Sequence, residues 1–158
     1  NTYNFKIFNE FFENNITSFS ISLASTNSIS SDDVKLSERL FIPSKRLRGF
    51  ESGKIGPKDG DDFIGGNYSA TFNAQTNVPS IFQNFQDIDA VMFFDVGSLW
   101  GVDYDSSLDD GGKLRSSIGI GVDWFTVIGP LNFTLSEVIT KDDNDITESF
   151  RFNLGTTF

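Results

Sequence analysis

The sequence predicts an all-β fold of antiparallel strands with one face built for an apolar medium. Three observations carry this. Seven stretches alternate apolar and polar residues with a period of two, the signature of strands whose successive side chains point to opposite faces. Short and long connections alternate between these stretches. Charge is confined to the long connections: of the 12 basic and 22 acidic residues, only Lys6, Glu10, Glu13, Asp87, Asp89, Asp95, Asp123 and Glu137 lie outside residues 31–63, 103–115 and 141–151. A soluble antiparallel sandwich remains an alternative on alternation alone, but it would more often place Lys, Glu and Arg on its outward strand faces.

The stretches follow in order. Residues 2–12 (TYNFKIFNEFF) place Tyr3, Phe5, Ile7 and Phe11 on one parity. Residues 16–25 set Phe19, Ile21 and Leu23 against Ser18, Ser20 and Ser22. Residues 67–78 set Tyr68, Ala70, Phe72 and Ala74 against Ser69, Thr71, Asn73 and Gln75. Residues 90–100 set Met92, Phe94, Val96 and Trp100 against Phe93, Asp95, Gly97 and Leu99. Residues 116–124 alternate Ile118, Ile120, Val122 and Trp124 with Ser117, Gly119, Gly121 and Asp123. Residues 130–138 alternate Leu131, Phe133 and Leu135 with Asn132, Thr134 and Ser136. The last stretch, residues 149–158 (SFRFNLGTTF), puts Phe150, Phe152, Leu154 and Phe158 on one face. No stretch carries a helical period.

The connections at 13–15, 79–88 and 126–130 are short. Those at 26–66, 101–114 and 140–148 are long and charged. Outer-membrane barrels show this asymmetry, and strands of about 9–11 residues suit a tilted membrane span. The 18 Phe residues within a chain only 38% hydrophobic imply aromatics gathered on particular faces. Phe158 and nearby Trp and Tyr are expected in an interfacial aromatic girdle. Seven strands do not close a bacterial barrel, and an open sheet would expose unpaired edges to hydrocarbon. A chain opening on Asn1, with neither initiator Met nor signal peptide, is therefore expected to be the C-terminal part of a larger barrel.

Composition narrows the function. A net charge of −10 argues against nucleic acid, whose phosphates recruit Lys and Arg. There is no His and no Cys, which removes the commonest general base and all thiolate chemistry. No nucleophile–base pair is visible, so an enzyme is not expected and no cofactor is assigned. Asp103, Asp105, Asp109 and Asp110 lack the spacing and closing Glu of a Ca²⁺ loop, and no metal site is assigned. GGKLRSS (residues 111–117) lacks the first Gly and the helix of a phosphate loop. Asp123 and Glu137 are candidates to line a lumen.

The long connection contains RLRGFESGKIGPKDG (residues 46–60). A connection of that length inside a compact domain tends to be functional. RLRGFESGKIGPK resembles the RGF-bearing loop of the BamA/TamA superfamily of outer-membrane barrels. The resemblance continues through FIGGNYSATF, MFFDVGSLW, RSSIGIGVDWFTVIGPLNFTLS and FRFNLGTTF, covering nearly all of 40–158; residues 1–39 match only as two strands and a turn. IGPK and DVGSLW favour the BamA branch over the TamA branch. The resemblance implies roughly strands ten to sixteen of a 16-stranded barrel, with the earlier strands and periplasmic POTRA domains absent. It implies a loop folded into the lumen, with Arg48, Gly49 and Phe50 at the contact and Asp95 on the inner wall as partner of Arg48. Relatives carry a second acid where Gln75 stands here, which puts a two-carboxylate clamp in doubt. The terminal pattern Phe150, Phe152, Leu154, Gly155 and Phe158 is similar to the family's closing seam and targeting strand. The implied function is insertion of β-barrel proteins into the outer membrane of a Gram-negative bacterium. The implied partners are the lipid bilayer, unfolded client proteins and accessory lipoproteins reached through POTRA domains, with no nucleic acid. A TamA-like or secretion barrel is the alternative, and a passive channel has no use for a lumen-inserted Arg.

Overall fold

The computed structural model describes residues 1–12, 15–29, 32–78, 87–127 and 129–155. Most of the expected turns at 13–15 and 79–88, and the expected girdle residue Phe158, lie outside the described residues. Seven strands form one antiparallel sheet: β1 (Thr2–Phe12), β2 (Asn15–Ser25), β5 (Tyr68–Asn77), β6 (Ile88–Trp100), β7 (Arg115–Thr126), β8 (Gly129–Thr140) and β9 (Phe150–Leu154), in that spatial order. Every neighbour is a neighbour in sequence except across the long loop. There a small hairpin, β3 (Lys58–Asp59) and β4 (Asp62–Phe63), and a 3₁₀ turn at Leu36–Glu38 interrupt irregular chain. Neither was visible as a period, because both are too short to show one.

Register carries the outward parity across the sheet. Ile7 faces Phe19, Phe19 faces Ala74, and Ala74 faces Phe94, which faces Ile118. Met92, Ile120, Leu135 and Phe150 form a second row. Most of these residues are exposed, Leu135 at 59%, as is Phe5 of β1 at 62%, so this face of the sheet is largely apolar and uncovered by protein. Aromatics mark its two ends: Tyr68 stacks on Trp100 at the long-loop end with centroids 6.0 Å apart, while Trp124 and Phe125 are exposed at the short-turn end. No helix among the described residues is long and apolar enough to cross a membrane.

The opposite face holds the core, and it is the long loop that fills it. Ile42, Leu47, Phe50 and Ile55 from the loop pack with Leu99 of β6, and Leu40 and Val138 flank them. A buried side chain of this size contributes about 1.5–3 kcal/mol. Composition makes the loop look polar and Gly-rich; its apolar residues are spaced irregularly because they belong to no strand or helix. Glycines make room for this packing. A Cβ on Gly97 would meet Leu47 at 3.2 Å, and one on Gly119 would meet Leu135 O at 2.1 Å and Phe93 Cζ at 2.5 Å.

Several expected boundaries shift. β6 begins at Ile88, β7 runs to Thr126 and β8 to Thr140, each two residues beyond its alternating stretch. β9 ends at Leu154, because Gly155 takes φ +116° while its N–H donates to Pro130 O at 2.9 Å. Glu137 does not line the inner face. It pairs in register with Ile118 and shares the parity of Phe133 and Leu135, so it projects outward near the long-loop end. Asp123 does face inward, where it accepts the Asn132 Nδ2–H bond at 2.5 Å.

Candidate functional site

The site is the contact between residues 46–54 of the loop and the inner faces of β5–β9. Arg48 reaches Asp95 in fork geometry: Nε donates to Oδ2 at 2.7 Å and Nη2 to Oδ1 at 2.8 Å. The Arg48 backbone N–H also donates to Oδ2, at 3.1 Å. Asn73 Nδ2 supplies a further bond to Oδ1 at 2.9 Å. Asp95 is fully buried and Arg48 is 15% exposed. Ionised, the carboxylate can accept at both oxygens at once, and four donors are what a buried charge of this kind requires.

Gln75 occupies the remaining side of the guanidinium, accepting from Nη1 at 3.0 Å. The clamp therefore has one carboxylate and one amide. Beneath it lies Phe93, with the Arg48 Cζ 3.6 Å from the ring centroid. A planar guanidinium stacks on such a face as an ammonium cannot. Phe93 is 3% exposed and rests over Gly119. Sequence reasoning passed over it, although an aromatic on the polar parity of β6 was a readable anomaly.

Gly49 and Phe50 complete the segment. Gly49 has φ +91°, and a Cβ there would lie 3.1 Å from both Ser117 Cβ and Val138 Cγ2, so the position demands Gly for conformation and for space. Phe50 is 1% exposed in the loop core. Its backbone bridges to Thr147, and Glu51 N–H donates to Ile146 O at 2.9 Å. Arg48, Gly49, Phe50 and Asp95 thus lie together at this contact. The terminal-strand residues are not part of this contact: Phe150, Phe152 and Leu154 lie on the exposed outward face, with Phe152 5.2 Å from Phe133.

Two of the other ion pairs join segments distant in sequence. Arg115, at the start of β7, forms a second fork with Asp145 at 2.8 and 2.9 Å, and both side chains are buried. Sequence reasoning missed this pair, since each residue stood in a charged segment that looked solvated. Arg39 donates to Asp103 at 3.1 Å. Burial works against ionisation of Asp103, but the Val34 N–H, Asn67 and Arg39 outweigh it and hold its carboxyl below the usual value of 3.8. The neighbouring acids also have protein partners: Asp105 accepts from Ser107, Asp109 meets Lys113, and Asp110 accepts from the Val102 N–H. Tyr104 donates to Asp59 at 2.6 Å, and this bond raises its phenol pKa.

A profile of the Omp85 superfamily domain matches residues 1–158. The chain belongs to the Omp85 superfamily. Within it, the sequence is 31% identical over 132 residues to outer membrane protein assembly factor BamA of Neorickettsia risticii, covering 82% of this chain. It is 32% identical over 139 residues to BamA of Neisseria meningitidis serogroup B, covering 71%. The chain spans 18% and 17% of the length of these curated relatives. The crystal structure of BamA from Haemophilus ducreyi lacking POTRA domains 1–3 superposes with a TM-score of 0.81 at 26% identity, over 96% of this chain and 33% of that one. The Omp85 assignment explains why a seven-stranded sheet leaves one face apolar and bare: it matches part of a barrel wall.

Proposed function

We propose that this chain forms part of the wall of an outer-membrane barrel that assembles β-barrel proteins into the membrane of a Gram-negative bacterium. The observation that carries the reading is the forked Arg48–Asp95 contact, made by a long loop lying on the inner face of the sheet. A passive pore gains nothing from a lumenal arginine that fixes a loop there. The apolar outward face, edged by Tyr68, Trp100 and Trp124, fits a bilayer with interfacial aromatics. The BamA relatives, named as assembly factors, support the same role. The work is conformational and adhesive: strand edges recruit strands through backbone hydrogen bonds, without bond-making chemistry or a cofactor. Unfolded outer-membrane proteins are the proposed clients.

The test uses cells depleted of the native protein and supplied with the intact variant. Arg48→Ala should reach the outer membrane yet lower the amount of folded client porin, read as heat-modifiable bands. Wild-type client folding by Arg48→Ala at equal abundance refutes the assembly role assigned to this contact.

A further inference from the structure

Three consecutive carbonyls of the loop are each held by a different element. Ser117 of β7 donates its hydroxyl to Arg48 O. The Glu148 N–H, two residues before β9, donates to Gly49 O at 2.9 Å. Arg151, on the inward parity of β9, donates Nη2 to Phe50 O at 2.9 Å. Arg151 also grips Glu148 through Nε at 2.8 Å. The same short segment that meets β5 and β6 through the Arg48 side chain therefore meets β7 and β9 through its backbone. Between the two loops, Ile146 N–H donates to Lys54 O at 3.0 Å, and Asp145 is anchored on Arg115.

β9 is the shortest strand of the sheet: it has five residues and pairs with β8 from Leu131↔Leu154 to Leu135↔Phe150. Its outward side chains are exposed. Inward, Arg151 is its polar tie to the body of the protein, and Phe50 itself is locked in the loop core.

We propose that Arg151 is a positioning residue that couples β9 to the Arg48–Phe50 segment, so that seating of the loop and pairing of the last strand rise and fall together. This rests on Arg48–Asp95 being the anchor of the loop. Coupling of two sites is reciprocal in free energy. Loosening the loop at Arg48 must loosen β9, and loosening β9 at Arg151 must loosen the loop, although neither side chain touches the other.

Amide hydrogen exchange of the intact protein in lipid nanodiscs reads both ends separately. Arg48→Ala should speed exchange at 46–54 and also at 150–154. Arg151→Ala should speed exchange at 150–154 and also at 49–51, by about tenfold, the scale of one lost hydrogen bond to a charged group. Arg151→Lys keeps the charge but cannot hold Phe50 O and Glu148 with one fork, and serves if Arg151→Ala does not fold; it should show the same paired increase, smaller. Faster exchange at β9 alone in the Arg151 variants, with 49–51 unchanged, overturns the coupling and leaves the loop anchor standing. Unchanged exchange at 46–54 in Arg48→Ala overturns the anchor itself.

Discussion

Asp95→Asn isolates the central contact with little change in shape. Asp95 accepts four hydrogen bonds: from Arg48 N–H, Nε and Nη2, and from Asn73. An asparagine has one acceptor oxygen. Turned toward Nη2 and Asn73, it presents its NH₂ to Arg48 N–H and Nε, so two bonds become donor–donor contacts and the charge that neutralised the guanidinium is gone. Removing one partner of a buried pair costs about 3–5 kcal/mol. Arg48 is 15% exposed and keeps Gln75 and the Phe93 face, which places the expected loss near the lower figure, about 3 kcal/mol, or roughly 100-fold in the open population of the loop. Trypsin reports that population, because Lys45, Arg46, Arg48 and Lys54 all remain as sites and cleavage tracks opening when reclosing is fast. The intact protein in nanodiscs should be cut in this segment about 100-fold faster. Gln75→Glu in the same background returns a carboxylate to Nη1 and should recover about 1 kcal/mol, the margin of a charge-assisted over a neutral bond. A change below about threefold in Asp95→Asn, against the 100-fold worked from the same cost, would refute the idea that this pair anchors the loop.

Further outcomes follow from the same geometry. Gly49→Ala, at φ +91° and 3.1 Å from two side chains, should cost about 1–3 kcal/mol and speed tryptic cleavage without altering any charge. Asp145→Ala strands the buried Arg115; a loss of about 3–5 kcal/mol should appear as a lower midpoint for loss of the heat-modifiable folded band, whereas the double change Arg115→Met with Asp145→Ala should recover much of it. Asp103 has a folded pKa held below its ordinary 3.8, so the stability it lends is complete above that value and disappears as pH falls through the depressed one. Pepsin cleavage near Leu36 should therefore stay constant down to about pH 4 and rise below it, and Asp103→Asn should flatten that rise.

The wall was legible because parity survives in any strand with one apolar face. Met92, Phe94 and Val96 against Asp95 fixed the inner wall before any register was known. The Arg48–Asp95 pairing was legible through family resemblance, with parity agreeing. What escaped was set by contacts between segments distant in sequence. Arg115 and Asp145 each sit among neighbours of both signs, and nothing local marks them as buried. Ile42, Leu47 and Ile55 follow no period, since a loop packed on a sheet answers to the surface beneath it. Glu137 was readable and misjudged: its parity with Phe133 and Leu135 already pointed outward.

The layout of the loop also favours an order of assembly. Arg48 and Asp95 are 47 residues apart, whereas Phe50 and Arg151 are 101 apart. Closing the longer interval costs about 0.7 kcal/mol more in chain entropy, and it presupposes the β8–β9 pairing that places Arg151. The contacts of Arg48 with β5 and β6 do not require β9, so the loop can settle there while the far side of the wall is still missing, and the last strand then arrives onto a floor already laid. A late-docking loop would instead have to descend past the rim onto a wall already closed around the place its apolar residues fill, so early capture is the route this layout favours.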